Sequence, residues 1–274
     1  MSHVALLRPR PHDAAPDRAV ALHPPAPATT RFVAAWARPA DEVAEAQRLR
    51  WRVFVDEMGA RPQPLPGTPP QHDADRFDAF CEHLLVRVAD GPCAGLLVGT
   101  YRVLVADAAR RAGGFYSDGE FDLQPVRALL LRAAELGRSC VHPEWRSGGA
   151  ILALWGALYG FLERHRIEVV IGCASVGIGD GGHHAASLWR RLRETHLVDA
   201  ALRVAPRLPL PLAHLRDDLD AEPPALVKGY LRCGGRLLGP PAWDPDFNAA
   251  DLPLMLRLAD FPSRYQRHFA DPAG

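Results

Sequence analysis

A glutamate and an arginine lie three residues apart in the segment ELGRSCVHPEWRSGGAILALW, residues 135–155. Glu135 and Arg138 fall in a predicted buried strand, where an isolated charge is costly. A buried carboxylate can take a proton from a nucleophile, and a guanidinium can orient it. Because residues three apart in a regular strand point to opposite faces, we expect a bulge near Gly137 that turns both into one cleft. A structural ion pair is the alternative for these two residues.

The same segment continues into a glycine turn that opens an apolar helix. Arg146, Gly148, Gly149 and Ala150 lie at its start, where free backbone N–H groups and the helix dipole favour anions. The Lys-Ser/Thr pair of a Walker loop is missing, and an ordinary glycine turn is the alternative. The pattern therefore predicts a phosphate site of another kind.

An acidic segment, HDADRFDAFCEHL at residues 72–84, carries Asp73, Asp75 and Asp78. Their carboxylates suit an ammonium group, with a solvated acidic loop as the alternative. The spacing is not that of a metal site, and we expect no bound metal. The segment GIGDGGHH also misses the spacing of a dinucleotide-binding loop.

The composition narrows the class of protein. The 274 residues hold 32 Lys+Arg and 32 Asp+Glu, so no overall charge favours nucleic acid. The five scattered cysteines indicate reduced thiols and a cytoplasmic protein. No apolar run approaches the roughly 18 residues of a membrane span, and the first residues do not resemble a secretory signal.

The periodicity predicts a flexible Pro/Ala/Arg-rich leader over residues 1–30 and a single domain over residues 31–274. Helices and strands alternate in an order that favours one α/β domain with a mixed sheet. The predicted elements are a helix over 41–59, strands over 81–90 and 95–106, a short helix near 125–131, a strand over 133–141, a helix over 149–164, a strand over 167–176, a helix over 183–196, a proline-rich crossover over 205–224, a strand over 252–260 and a short helix over 262–269.

Several of these stretches together resemble the GNAT superfamily of acyltransferases. More narrowly, the chain from about Phe32 to Phe269 is similar to the ornithine–acyl-[acyl carrier protein] N-acyltransferases of bacterial ornithine-lipid synthesis. The stretches that carry the resemblance are RLRWRVFVDEMGA, DRFDAFCEHLLV, GLLVGTYRVL, FYSDGEFDL, ELGRSCVHPEWRSGGAILALW, VIGCASV, PPALVKGYLRCGG and FNAADLPLML.

The chain also resembles the acyl-homoserine-lactone synthases, which share the fold and the acyl-carrier-protein donor. Their pattern matches Arg50 with Phe54, Asp75 with Asp78, Arg102, and Glu135 with Arg138. The tryptophan of that pattern is replaced here by Ala60. This departure places the amino-acid acyltransferase ahead of the signal synthase.

The resemblance implies a GNAT-like, mostly antiparallel twisted sheet flanked by helices. It implies transfer of a (3-hydroxy) fatty acyl group from acyl carrier protein to the α-amine of ornithine, giving lyso-ornithine lipid. The phosphopantetheine thioester would be a substrate, and no cofactor would be bound permanently. The implied partners are acyl carrier protein, ornithine and, peripherally, the inner-membrane surface, with no nucleic acid.

The resemblance also assigns roles to the residues introduced above. Glu135 and Arg138 would be catalytic, with burial raising the pKa of Glu135 and Arg138 opposing that rise. Arg146, Gly148, Gly149 and Ala150 would hold the donor's phosphopantetheine. The acceptor's carboxylate would meet Arg50 and Arg102, and its ammonium groups Asp75 and Asp78.

Three alternatives remain open beside this interpretation. The first is a signal synthase that uses S-adenosylmethionine, and the second is another acyl-thioester-dependent amine acyltransferase. The third is a GNAT-like protein that binds lipid or carrier without catalysis.

Overall fold

The computed structural model describes residues 30–146 and 148–262. The predicted leader, apart from Thr30, and the predicted C-terminal helix, apart from Pro262, lie outside this part of the chain. The strands are β1 (Phe32–Trp36), β2 (Glu82–Val88), β3 (Leu97–Val105), β4 (Phe121–Asp122), β5 (Ala133–Val141), β6 (Val169–Gly177), β7 (Ala205–Pro206), β8 (Arg236–Leu237), β9 (Ala242–Asp244) and β10 (Ala249–Arg257). The α-helices are α1 (Ala40–Trp51), α2 (Ala106–Arg111), α3 (Ser117–Glu120), α4 (Gly149–Arg164), α5 (His183–His196) and α6 (Ala225–Arg232).

Most strands form one sheet in the order β1-β2-β3-β5-β6-β10-β8, with β9 paired to β10. The β5–β6 pair is parallel and the other pairs are antiparallel. Helix α4 makes the crossover between the two parallel strands, as such a connection requires. The predicted mixed, mostly antiparallel sheet of a single α/β domain is confirmed.

The predicted helix over 41–59 is present, but only its first part is an α-helix. Helix α1 continues as a π-helix over Arg52–Glu57. The predicted short helix near 125–131 is a 3₁₀-helix over Gln124–Arg132. The predicted crossover over 205–224 also holds β7, whose two residues pair with β4.

Side chains alternate between two hydrophobic clusters on the two faces of the sheet. Ala134 and Leu136 of β5 belong to the cluster that contains α4, α5 and α6 side chains. Ala133, on the opposite face, packs with residues of α2 and of the 124–132 segment. Glu135 therefore points to the α2 face, because successive strand residues alternate.

The predicted bulge is present in β5. Residues Arg138 and Ser139 together oppose the single residue Tyr101 of β3, since Thr100 pairs with Cys140 and Arg102 pairs with Gly137. The left-handed backbone falls on Arg138, with φ at +49°, rather than on Gly137. The bulge brings Arg138 to the face that Glu135 occupies.

The two parallel strands separate just past Glu135. Their ladder ends at the pair Glu135–Ile171, while β6 continues alongside β10 as far as Gly177. Backbone groups of β5 beyond this point have no strand partner on the β6 side. A wedge-shaped opening between two strands is the result.

Gly172 lies at the point of separation. A Cβ there would lie 2.5 Å from the carbonyl oxygen of Leu136, so alanine would force the backbone apart. We expect Gly172→Ala to lower the free energy of unfolding by about 1–3 kcal/mol, as overpacking does. Gly177→Ala is the matched control, since nothing lies within 4 Å of a Cβ there. Urea denaturation that gives equal stabilities for the two variants would contradict this expectation.

Candidate functional site

The opening between β5 and β6 belongs to a cavity of about 780 Å³. It reaches both faces of the sheet. On the α4 face its walls are mainly apolar and include Leu154, Trp155, Tyr230 and Leu254. On the α2 face the walls are polar, and they include Tyr116, Glu135, Arg138, Asp244 and Asp251. The cavity thus joins an apolar compartment to a charged one.

Glu135 is the carboxylate at the junction of the two compartments. Its side chain is buried and accepts hydrogen bonds from the backbone N–H of Tyr116 (2.6 Å), the backbone N–H of Ser117 (2.8 Å) and the Ser117 hydroxyl. A carboxylate has about four acceptor sites, so one remains for a ligand or water.

Burial raises the pKa of Glu135. The largest opposing influences are the hydrogen bonds from Ser117 and Tyr116, followed by the charge of Arg102. The sequence predicted that Arg138 would provide this opposition. The start of α3, whose backbone N–H groups aim at the carboxylate, is the stronger influence because hydrogen bonds to the ionised form favour it directly.

Arg138 and Glu135 both contact Tyr116. Its guanidinium stands 5.1 Å from the centre of the Tyr116 ring and 4.5 Å from that of Phe247. Its nitrogens lie 3.3 Å from Asp73 Oδ2 and 3.2 Å from Asp75 Oδ2. The two predicted catalytic side chains thus line one cavity without forming an ion pair with each other.

The residues predicted to bind the acceptor are paired with one another. Arg50 is fully buried and contacts Asp73 (2.9 Å) and Asp78 (2.7 Å). Arg102 contacts Asp75 (2.6 Å) and Asp78 (3.1 Å). Together with Arg138 they form a network of three arginines and three aspartates, which we call the ion network.

The arginines of the ion network favour the charged form of Asp78. Burial alone would raise the pKa of Asp78, but Arg50 and Arg102 hold it well below its usual range. Only the Arg102 and Arg138 members line the cavity. Arg50, Asp75 and Asp78 therefore lie behind the cavity wall, and their contacts indicate a structural contribution.

Arg146 stands at the cavity mouth next to the start of α4. It forms a two-pronged ion pair with Glu57, with both N–O distances 2.7 Å, and its Nε donates to the carbonyl of Val141. Gly148, at φ +98°, provides the left-handed turn before the helix. Gly149 allows the Phe32 ring to approach, since a Cβ there would lie 2.7 Å from it. Ala150 is fully buried, and Ser147 is outside the described residues.

Several residues in or next to the cavity were not predicted from the sequence. Tyr116 lines the cavity, and Ser117 donates to Glu135 from behind it. Both lie in a loop and short helix without periodicity, although the stretch FYSDGEFDL was among those that carry the family resemblance. Asp251 had a sequence signal that was overlooked. It is a charged residue preceding the apolar run of a predicted strand, and it is buried in β10.

Two features were looked for in the part of the chain that the structure describes, a metal-binding cluster and a membrane-spanning helix. No group of three His, Cys, Asp or Glu side chains in residues 30–146 and 148–262 is arranged to hold a metal ion. Within the same residues, no helix has both the length and the apolar character of a membrane span.

Curated relatives decide the family. The chain is 38% identical over 249 residues to the L-ornithine N(alpha)-acyltransferase of Rhodobacter capsulatus, covering 85% of this chain and 92% of the relative. It is 37% identical over 245 residues to the protein of that name from Brucella abortus, covering 84% and 86%. The chain belongs to the L-ornithine N(alpha)-acyltransferase family.

One family model and several solved structures also match the chain. The family model for the acetyltransferase (GNAT) domain matches residues 49–156. These residues run from α1 to the middle of α4 and include the bulged strand β5. Among solved structures, FeeM, an N-acyl amino acid synthase from uncultured soil microbes, is 13% identical with a TM-score of 0.49, covering 84% of this chain and 92% of that one. The ornithine acyltransferase family member described here is thus an acyltransferase with a GNAT-like domain.

Proposed function

We propose that the protein transfers a fatty acyl group from a carrier thioester to the α-amine of L-ornithine, forming lyso-ornithine lipid. The relatives named L-ornithine N(alpha)-acyltransferase support this acceptor and this reaction. The structural observation that carries the proposal is the position of Glu135. This buried carboxylate lines a cavity where an apolar and a charged compartment meet.

The proposed reaction starts with removal of a proton. An amino acid's α-ammonium is not a nucleophile, so Glu135 accepts one proton from it, directly or through a water. The amine nitrogen then forms a bond to the thioester carbonyl carbon, and the C–S bond breaks. The products are an amide and the carrier's thiol, which takes up the remaining proton.

The separated strands provide groups for the charge that develops on the carbonyl oxygen. Backbone N–H groups of β5 that face the opening lack a β6 partner beyond Glu135. Such fixed donors stabilise an oxyanion without reorganising. We therefore place the thioester carbonyl in the opening between β5 and β6, next to the bulge.

The donor would enter beside α4. Arg146 and the first N–H groups of α4, near Gly148, Gly149 and Ala150, would hold the phosphate of the phosphopantetheine arm. The apolar walls near Leu154 would take the acyl chain. The thioester donor is supported by the family, and acyl carrier protein as its carrier is our proposal.

Arg146→Ala should raise the apparent KM for the acyl carrier about 10-fold or more with a small change in kcat. The reason is that a charge-assisted hydrogen bond to phosphate contributes about 1.5–3 kcal/mol. Glu57→Gln is the matched control, because it breaks the same ion pair but leaves the guanidinium free. Steady-state kinetics with varied carrier concentration measure both; equal KM values for Arg146→Ala and the wild type would remove the phosphate assignment.

For the acceptor's carboxylate we propose Arg102 and Arg138, the two members of the ion network that line the cavity. A guanidinium fork matches a carboxylate with two hydrogen bonds. For Arg50, Asp75 and Asp78, which the sequence also assigned to the acceptor, we propose an indirect role: they hold Arg102 and Arg138 in place.

Release of thiol from the donor tests the proposed function. The purified protein is given acyl carrier protein or coenzyme A bearing plain or 3-hydroxy acyl chains, with ornithine or S-adenosylmethionine as acceptor. We expect ornithine-dependent thiol release with acyl carrier protein as the better carrier. Release only with S-adenosylmethionine would favour a signal synthase, and no release with any pair would favour a non-catalytic carrier-binding protein.

We also propose a cytoplasmic location with peripheral contact at the inner membrane, because the product is a single-chain lipid that partitions into bilayers. Co-sedimentation with anionic vesicles at low salt tests the contact. Protein that stays in the supernatant at low salt would exclude it.

A further inference from the structure

Asp251 is a buried carboxylate that the proposed reaction does not use. It lies in β10, paired with Ser175 of β6, and only 2% of its surface is exposed. The side chains of Ser175 and Cys173 act on its carboxyl group as hydrogen-bond donors. Its Oδ1 atom still has no hydrogen-bond partner among the described residues, and Asp251 lines the cavity. An acceptor atom buried without a partner is costly. The free acceptor position on Asp251 Oδ1 therefore suits a ligand that donates a hydrogen bond to this atom.

Two further carboxylates lie close to Asp251. Asp244, which also lines the cavity, accepts from the backbone N–H groups of Asp246 (2.9 Å) and Phe247 (3.0 Å). Glu120, at the end of α3, is half-buried. We call Glu120, Asp244 and Asp251 the carboxylate cluster.

Among residues 30–146 and 148–262, no Lys, Arg or His forms an ion pair with a member of the carboxylate cluster. Burial raises the pKa of Asp251 to about 6, and the charge of Asp244 adds to the rise. Burial and the charges of Asp251 and Asp244 likewise raise the pKa of Glu120 to about 7. The hydrogen bond from Ser175 lowers the pKa of Asp251, and the charge of Arg138 lowers it less. The guanidinium of Arg138 is already paired with Asp73 and Asp75. A positively charged ligand would supply the missing charge.

The cluster lies on the same face of the sheet as Glu135. Ala250 and Leu252, the neighbours of Asp251 in β10, are part of the hydrophobic core on the α4 face. Asp251 therefore points to the α2 face, because successive strand residues alternate. Cys173 lies near both Glu135 and Asp251. Its Sγ is 3.4 Å from Ser117 Oγ, which donates to Glu135. The charge of Asp251 also raises the pKa of the Cys173 thiol. Glu135, Cys173 and Asp251 all line the cavity, so one ligand in it can reach both carboxylates if it carries two amines on a short alkyl chain.

We propose that Asp251 and Asp244, which line the cavity, bind the side-chain ammonium of a diamino-acid acceptor and so select it over neutral amino acids, with Glu120 adding negative charge from behind them. This inference rests on the proposed function, since it places the α-amine at Glu135. An organic cation is favoured over a metal ion, because the cluster does not have the arrangement of a metal site. The sequence assigned ammonium binding to Asp75 and Asp78, whose oxygens are occupied by arginines.

Comparison of ornithine with norvaline, which has the same carbon chain without the side-chain amine, tests the proposal. For the wild type we expect kcat/KM to be about 10- to 100-fold higher for ornithine. Asp251→Asn should remove most of this preference by raising the KM for ornithine, while turnover of norvaline changes less than threefold. Asp246→Asn is the matched control, because Asp246 lies in the same turn but does not line the cavity.

Two results would overturn the inference. One is a wild type that does not distinguish the two amino acids. The other is an Asp251→Asn variant that loses turnover of both equally, which would make Asp251 part of the chemical step or of the fold. A wild type that acylates neither amino acid would instead remove the proposed function.

A binding measurement, which needs no turnover, separates a binding role of Asp251 from a role in the chemical step or the fold. Ornithine should raise the Tm of the wild type more than norvaline does, since a ligand stabilises the state that it binds. Asp251→Asn should lose this difference while keeping a ligand-free Tm at pH 8 no lower than that of the wild type. The sign follows from the raised pKa: the ionised, buried carboxylate lowers stability above its pKa, and asparagine removes that charge. A lower Tm without ligand and an unchanged response to ornithine would assign Asp251 a structural role.

Discussion

Glu135→Gln should reduce kcat for acyl transfer to ornithine by about 100- to 10,000-fold, the usual contribution of a positioned proton acceptor. The amide of glutamine keeps the shape of the side chain but cannot take the proton from the α-ammonium. The variant should still fold, because one of its atoms can accept from Ser117 and the buried charge is gone. Thiol-release kinetics measure the loss, and circular dichroism and the Tm verify the fold.

A second variant separates proton transfer from a structural effect of Glu135. Ser117→Ala removes a hydrogen bond that favours the ionised carboxylate, so the pKa of Glu135 should rise further. Because the base works only when deprotonated, the acid limb of the pH profile of kcat/KM should move to higher pH. An acid limb that stays in place in Ser117→Ala, or near-normal kcat in Glu135→Gln, would remove Glu135 from the mechanism.

Arg50→Met should lower the free energy of unfolding by about 3–5 kcal/mol, the usual effect of breaking a buried ion pair from one side. Arg50 is fully buried, and its loss leaves Asp73 and Asp78 without their nearest cation. The expected effect is on the fold and not on acceptor binding, because Arg50 does not line the cavity. Urea denaturation measures the stability, and the KM for ornithine of the folded protein measures binding.

The double variant Arg50→Met/Asp73→Asn is the control for this prediction. Removing one carboxylate with the guanidinium leaves fewer uncompensated charges, so part of the lost stability should return. A stable Arg50→Met protein with a strongly raised KM for ornithine would contradict the structural role and restore the acceptor-binding role that the sequence first assigned.

The arrangement of strands was largely predictable from the sequence. The apolar runs of β5 and β6 and the helical spacing of α4 lie in one continuous segment, and local patterns define their bounds well. The bulge was predictable too, because Glu135 and Arg138 had to share a face and Gly137 marks a weak point in the strand. Only the residue with left-handed backbone, Arg138, was not identified.

The pairing of charges was not predictable. Asp75 and Asp78 precede the β2 strand, and Arg50 lies in α1, so their contacts depend on tertiary packing that no local pattern encodes. The unpaired oxygen of Asp251 is a similar case. A sequence shows that a carboxylate is buried in a strand, but the number of its donors depends on neighbours from β6, α3 and the turn before β10.

The chemical identity of the product tests the account most directly. The protein is incubated with a 3-hydroxyacyl carrier protein and ornithine labelled with ¹⁵N at the side-chain amine, and the lipid product is examined by mass spectrometry and NMR. We expect one new amide on the unlabelled α-nitrogen, with the labelled amine free. An amide on the labelled nitrogen would contradict the placement of the α-amine at Glu135, and a product without ornithine would contradict the proposed function itself.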